Sequence, residues 1–62
     1  MRVYYLQNFE LGWDNVVSIA TSPQKCIEDY TAGTVILLSD DDVEDYLKSN
    51  KELRIDYLNL KE

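Results

Sequence analysis

The sequence predicts an α+β domain in which a small mixed or antiparallel sheet carries two short helices, in the order ββαβαβ. Stretches rich in β-branched, aliphatic and aromatic residues stand near both ends of the chain and in its middle. Two segments with helical spacing of apolar residues lie between them, each introduced by a serine. The chain of 62 residues has room for one domain, residues 1–62, with a thin core.

The first third of the chain predicts a β-hairpin. Residues 3–8 are rich in Tyr and Val, and residues 16–20 form a second stretch typical of a strand. Because side chains alternate along a strand, Val17 and Ile19 are expected on one face of the second strand. The segment 12–15 contains a glycine, an aspartate and an asparagine, which favour the turn that closes the hairpin.

A helix is predicted to begin near Pro23. Ser22 is a suitable N-cap and Pro23 suits the first helical position, although Thr21 and Gln24 offer a competing capping box one residue earlier. The apolar face of this helix would be formed by Cys26, Ile27 and Tyr30. Gly33 is a natural C-terminal stop. The helix is too short to be stable alone, so it must pack on the hairpin.

The second half of the chain predicts a strand, a helix and a strand. Residues 34–38 are apolar and β-branched, which fits a strand covered on both faces or a short extended connector. Ser39 would cap the second helix, and Asn50 would end it. Its apolar positions are Val43, Tyr46 and Leu47. Residues 53–57 alternate between apolar and charged, which favours a strand, while the apolar spacing of residues 53–60 also permits a helix.

Composition excludes several classes of function. The chain has no His, the commonest general base and metal ligand, and its single Cys rules out an internal disulfide or an all-cysteine zinc site. We therefore expect no metal and no cofactor. A domain of this size has little volume for an active-site pocket, so we expect a protein that is not an enzyme.

Charge and the pattern of apolar runs suggest a cytoplasmic protein. The formal net charge of −6 disfavours direct contact with nucleic acid or anionic lipid and favours a partner protein with a basic surface. The longest apolar run has four residues, which is too short for a membrane span, and the N-terminus does not resemble a signal peptide. A single Cys fits a reducing compartment.

An acidic segment opens the second helix. It comprises Asp40, Asp41, Asp42, Glu44 and Asp45. The simpler interpretation is helix capping and a solvated face, because carboxylates in the first turn interact favourably with the helix dipole. The functional alternative is an acidic surface that mimics nucleic-acid phosphates and competes for a basic groove.

Three aromatic residues are candidates for partner binding. Trp13 lies in the predicted turn, where a lone Trp is expected to fold back over a small core. If it is exposed instead, it is a candidate anchor, since Trp and Tyr dominate interface hot spots. Tyr4 and Tyr5 point to opposite sheet faces, so Tyr5 could join Trp13 in an aromatic patch, with Phe9 as a third member.

The first half of the chain resembles small bacteriophage accessory proteins. The resemblance rests on the strand around Val3–Leu6, the turn Gly12-Trp13-Asp14, the strand Val16–Ala20 and the Ser22-capped helix. Many such proteins disable host machinery, anti-CRISPR proteins among them. The resemblance implies a small acidic inhibitor that acts by binding in the host cytoplasm, and it carries over no catalytic residue.

These observations lead to two hypotheses. The first is a non-enzymatic phage or prophage protein that binds and inhibits a host protein with a basic surface, such as a nucleic-acid-handling defence or CRISPR enzyme. Its contacts would be the acidic segment, Trp13, Tyr5 and Phe9. The second is a homo-oligomeric structural module, such as a homodimer that pairs strand edges or buries an open sheet face, because domains this small often gain stability by self-association.

Overall fold

A three-stranded antiparallel sheet with two helices on one face forms the protein in a computed structural model that describes residues 1–13 and 15–60. The strands are β1 (Arg2–Asn8), β2 (Val16–Ala20) and β3 (Leu53–Asn59), and their spatial order is β2-β1-β3. The helices are α1 (Pro23–Tyr30) and α2 (Asp40–Ser49). The α+β class is confirmed, and residues 53–59 form a strand rather than a helix.

The element order is ββααβ, which corrects the predicted ββαβαβ. Residues 34–38 form no strand. Their side chains do alternate, since Val35 and Leu37 pack against the core while Ile36 and Leu38 are exposed. The segment therefore covers the core as an extended connector, which was the predicted alternative, and β1 already has a partner strand on each side.

The hairpin between β1 and β2 is confirmed, but a β-bulge changes which side chains share a face. Leu6 lies opposite Ser18, and the next residue of β1, Gln7, lies opposite Val16, so Val17 is an extra residue on β2. A bulge interrupts the regular alternation of side chains. Val17 consequently packs against the core while Ile19 points away from it, which corrects the prediction that the two share a face.

Both helix N-termini form as predicted. Ser22 caps α1, accepting a hydrogen bond from the Lys25 backbone N–H at 3.2 Å, with proline at the first helical position. Ser39 caps α2 through the Asp42 N–H at 3.4 Å. These hydroxyl oxygens satisfy backbone donors that otherwise have no partner within the helix.

The core lies between the helices and one face of the sheet. Its buried side chains are Leu6, Cys26, Ile27, Val43 and Leu53. They come from β1, α1, α2 and β3, so each of these elements contributes to a single cluster. Two short helices cover only this face, and the opposite face of the sheet, which contains Tyr5, is left open.

Candidate interaction surfaces

The turn between β1 and β2 presents three large apolar side chains to solvent. A short 3-10 helix, Phe9–Leu11, follows β1 directly and ends at Gly12, which has a positive φ of 79°. Phe9 is 51% exposed, Leu11 is 57% exposed and Trp13 is fully exposed. We call these three residues the apolar tip. Exposed apolar side chains are ordinary singly, but three within five positions concentrate apolar surface at one turn.

Trp13 does not fold back over the core, contrary to the simpler interpretation of its position. Its side chain is fully exposed and is not among the residues that pack against the core. The side chain therefore stands in solvent. Asp14, the next predicted turn residue, lies outside the described residues.

The base of the turn is held by hydrogen bonds. The Asn8 side chain, buried at 9% exposure, accepts from the Glu10 N–H at 3.0 Å and donates to the Tyr30 hydroxyl at 3.2 Å. The Asn8 backbone N–H donates to the Asn15 carbonyl at 2.7 Å. The Phe9 N–H donates to the Glu52 carbonyl at 2.9 Å. The apolar tip thus projects from a turn that is tied to α1 and to the start of β3.

The acidic segment lies on α2, on the helix-covered side of the sheet. Asp42 accepts a hydrogen bond from the Leu38 N–H at 2.9 Å, and Asp40 accepts one from the Gln24 side chain at 3.2 Å. These two carboxylates thus stabilise the start of the helix. Asp41, Glu44 and Asp45 are exposed and make no ion pair with any residue that the structure describes. They form the part of the segment that is free to face a partner.

Tyr5 lies on the open face of the sheet, in the centre of a shallow apolar hollow of about 270 Å³. The other lining residues are Val3, Val16, Ile19 and Leu58. Ile19 is 65% exposed and Leu58 is 57% exposed, so aliphatic surface remains in contact with water. The hollow offers a binding surface and no pair of carboxylates for acid–base chemistry.

The predicted site residues fall on three separate surfaces. Phe9 and Trp13 are in the apolar tip, Tyr5 is on the open face, and the acidic segment is on α2 behind the sheet. The aromatic contact among the described residues joins Tyr4 and Tyr57, with ring centroids 5.7 Å apart, on the covered side. The patch of Trp13, Tyr5 and Phe9 stays a prediction.

Sequence reasoning missed Leu11 and the aliphatic residues of the open face. Leu11 lies between Phe9 and Trp13 in a segment that must turn, and side chains in such surface segments are commonly exposed. Ile19 was missed because the bulge cannot be read from the pattern of β2. Leu58 follows Arg54 and Asp56 at the strand period of two, so its position on the exposed face could have been inferred.

Cys26 is a buried thiol with no sign of reactivity. It donates a hydrogen bond to the Tyr4 carbonyl at 3.4 Å, and burial raises its pKa above the usual value, which keeps it protonated. Lys25, next in sequence, pairs with Asp29 at 3.4 Å instead. Among the described residues, no group of three Cys, Asp or Glu side chains converges to hold a metal ion.

Comparisons with known proteins identify no relative. No family model matches the chain, and no curated protein or solved structure is significantly similar to it. Neither helix in the described part of the chain has the length and hydropathy needed to cross a bilayer.

Proposed function

We propose that this protein is a non-enzymatic interaction domain that inhibits another protein by occupying its surface, with the apolar tip as the anchor. The observation that carries the proposal is the exposure of Phe9, Leu11 and Trp13 together on a turn whose base is fixed by hydrogen bonds. Exposed apolar groups of this size are costly to keep in water. A partner that buries them gains most of the available binding energy.

The fixed base favours tight binding. A flexible loop loses conformational entropy when it binds, whereas a turn held by Asn8 has already lost much of it on folding. Burying the Trp13 side chain would remove on the order of 200 Å² from water, a gross gain of about 5 kcal/mol before other costs. The net gain is smaller, but it is large enough for a hot spot.

The acidic segment defines the chemistry of the partner. Asp41, Glu44 and Asp45 add exposed negative charge to a chain of net charge −6, which favours a basic surface. Proteins that handle nucleic acid carry such surfaces. We propose that the target is a nucleic-acid-handling host protein, a defence or CRISPR enzyme being the type suggested by the resemblance to phage accessory proteins. The site of action would be the host cytoplasm.

The two surfaces have different roles in this proposal. Rim charges mainly accelerate association and make it sensitive to salt, whereas buried aromatic anchors slow dissociation. The tip and α2 are on different elements, so their contributions can be separated by substitution. No catalytic residue is assigned.

The test begins with affinity capture from a host lysate and ends with purified partner. Trp13→Ala should weaken binding of the captured protein at least about tenfold, mainly through faster dissociation. The triple variant Asp41→Asn, Glu44→Gln, Asp45→Asn should slow association and flatten its salt dependence. Leu38→Ala is the matched control, because Leu38 is an exposed apolar residue, at 87%, away from the tip.

Circular dichroism of each variant must match that of the parent protein, so that lost binding is not lost folding. Equal affinity for Trp13→Ala and Leu38→Ala would refute the assignment of the tip. An association rate that changes neither with salt concentration nor with the triple substitution would refute a basic partner.

A further inference from the structure

The open face of the sheet has a regular arrangement across its three strands. Beside the row of Val3 and Leu58, two residues from each strand lie at matching levels. They are Val16 and Ile19 on β2, Gln7 and Tyr5 on β1, and Arg54 and Asp56 on β3. We call these six residues the open-face pairs. The β2 pair is apolar, the β1 pair is an amide and a phenol, and the β3 pair is a cation and an anion.

The open-face pairs are symmetric about one line across the sheet. Ile19, Tyr5 and Asp56 are in register with one another. Val16, Gln7 and Arg54 are likewise in register, two residues further along β1. Midway between the two rows lies the level of Leu6 and Ile55, whose side chains face the core. The bulge at Val17 places Val16, rather than Val17, level with Gln7.

We propose that a second copy of this chain docks on the open face. The two copies are related by a twofold axis that lies between the two sheets and runs perpendicular to the strands, at the level of Leu6. A twofold axis in this position lays each strand over the same strand of the other copy and exchanges the two rows. Ile19 then faces Val16 of the second copy, Tyr5 faces Gln7, and Arg54 faces Asp56. Each contact occurs twice, and each joins chemically matched groups.

Polar groups of the open face are free to form these contacts. Gln7 uses its amide N–H to donate to Asn15 at 3.1 Å, which leaves its carbonyl oxygen to accept from a Tyr5 hydroxyl. Asp56 accepts from the Tyr57 N–H through one oxygen at 2.8 Å, which leaves the other for a guanidinium. Arg54 makes no ion pair with any residue in the described part of the chain.

Charge complementarity identifies the second copy as the occupant. The molecule as a whole carries a net charge of −6, yet the open-face pairs include one cation and one anion and so are neutral. Two like-charged molecules can approach through such a face with little repulsion. An identical face supplies an anion wherever this one presents a cation, in the register that the twofold axis requires.

The area of the face sets the strength of the dimer. Strands about 4.8 Å apart with a rise of about 3.3 Å per residue give a face roughly 14 Å by 20 Å. Two such faces have a flat area of about 560 Å² in total, below the roughly 1,000 Å² of a stable specific interface. We expect a weak dimer with a dissociation constant of roughly 10 µM to 1 mM. This inference is independent of the proposed function, which uses other residues.

Sedimentation velocity over this range of concentration tests the proposal. The parent protein should shift from monomer to dimer as its concentration rises. Arg54→Asp alone and Asp56→Arg alone should each weaken association at least about tenfold, because each places like charges opposite one another. An equimolar mixture of the two variants should associate as well as the parent protein or better, since the charges are then complementary in both contacts.

Matched controls are available on α2. Lys48→Glu changes the net charge as Arg54→Asp does, and Asp45→Arg changes it as Asp56→Arg does, and both residues are exposed. Neither control should alter dimerisation by more than about twofold. A parent protein that stays monomeric throughout, or a dimer that Arg54→Asp weakens no more than Lys48→Glu does, would overturn the proposal. A mixture that associates no better than its components would do the same.

Discussion

Replacing Ala32 by glycine should stabilise the protein, because the chain has an alanine where a glycine belongs. After α1 the Gly33 N–H donates to the Glu28 carbonyl at 2.8 Å, and the Ala32 N–H donates to the Asp29 carbonyl at 3.3 Å. These two bonds form a Schellman motif, whose C′ residue adopts a left-handed conformation. That residue is Ala32, with a φ of 54°.

The magnitude follows from two opposing effects. A side chain with a Cβ in the left-handed region costs about 1 to 2 kcal/mol. Glycine removes that cost but gives the unfolded chain more conformational entropy, which opposes folding by about 0.4 to 1 kcal/mol. Ala32→Gly should therefore increase the free energy of unfolding by about 0.5 to 1 kcal/mol, which raises the melting temperature by about 2 to 8 °C in a domain of this size.

Thermal unfolding followed by circular dichroism measures this change. Gly33→Ala is the matched control, because Gly33 also has a positive φ of 80° and an added Cβ would meet no atom within 4 Å. It should lower the melting temperature through the backbone alone. An Ala32→Gly variant that melts at or below the parent temperature, while Gly33→Ala is destabilised, would refute the reasoning.

Three further predictions concern the core and the turn. Ile27→Ala should lower the free energy of unfolding by about 2 to 5 kcal/mol, because Ile27 is fully buried. Urea unfolding should show that this small domain has lost most of its stability. Asn8→Ala should cost about 1 to 3 kcal/mol in the same assay, since the Glu10 N–H and the Tyr30 hydroxyl lose their partner. The raised pKa of Cys26 means that the folded state retains the thiol proton more strongly than the unfolded chain does. The stabilisation that the protonated thiol contributes should be fully present below about pH 8.5 and should decline as the pH rises towards the folded pKa. The free energy of unfolding of Cys26→Ala, measured against pH, should lack this decline.

The proposed binding function and the proposed dimer involve opposite parts of the molecule. The apolar tip projects from the end of the β1–β2 hairpin, the acidic segment is on the helical side, and the open face is on the other side of the sheet. A dimer through the open face would leave both acidic helices on the outside. The protein could therefore present two acidic surfaces to a partner, and bivalent binding gains affinity without new contacts.

Local signals in the sequence determined the elements that formed as predicted. Ser22 with Pro23, and Ser39 with its following aspartates, define helix starts because capping depends on neighbouring residues alone. The alternation in residues 53–57 favoured a strand, and the structure decides for β3 over the helix that the spacing of residues 53–60 also permitted. The acidic segment is exposed for the elementary reason that unpaired carboxylates stay in water.

Tertiary structure alone decided the position of the connector, the bulge and the exposed indole. Residues 34–38 have the composition of a strand, but they pair with neither edge of the sheet and instead pack Val35 and Leu37 against the core. The bulge at Val17 depends on how β1 and β2 pair, which no pattern within β2 records. Trp13 is fully exposed and lies outside the core cluster, which the composition of the turn does not determine.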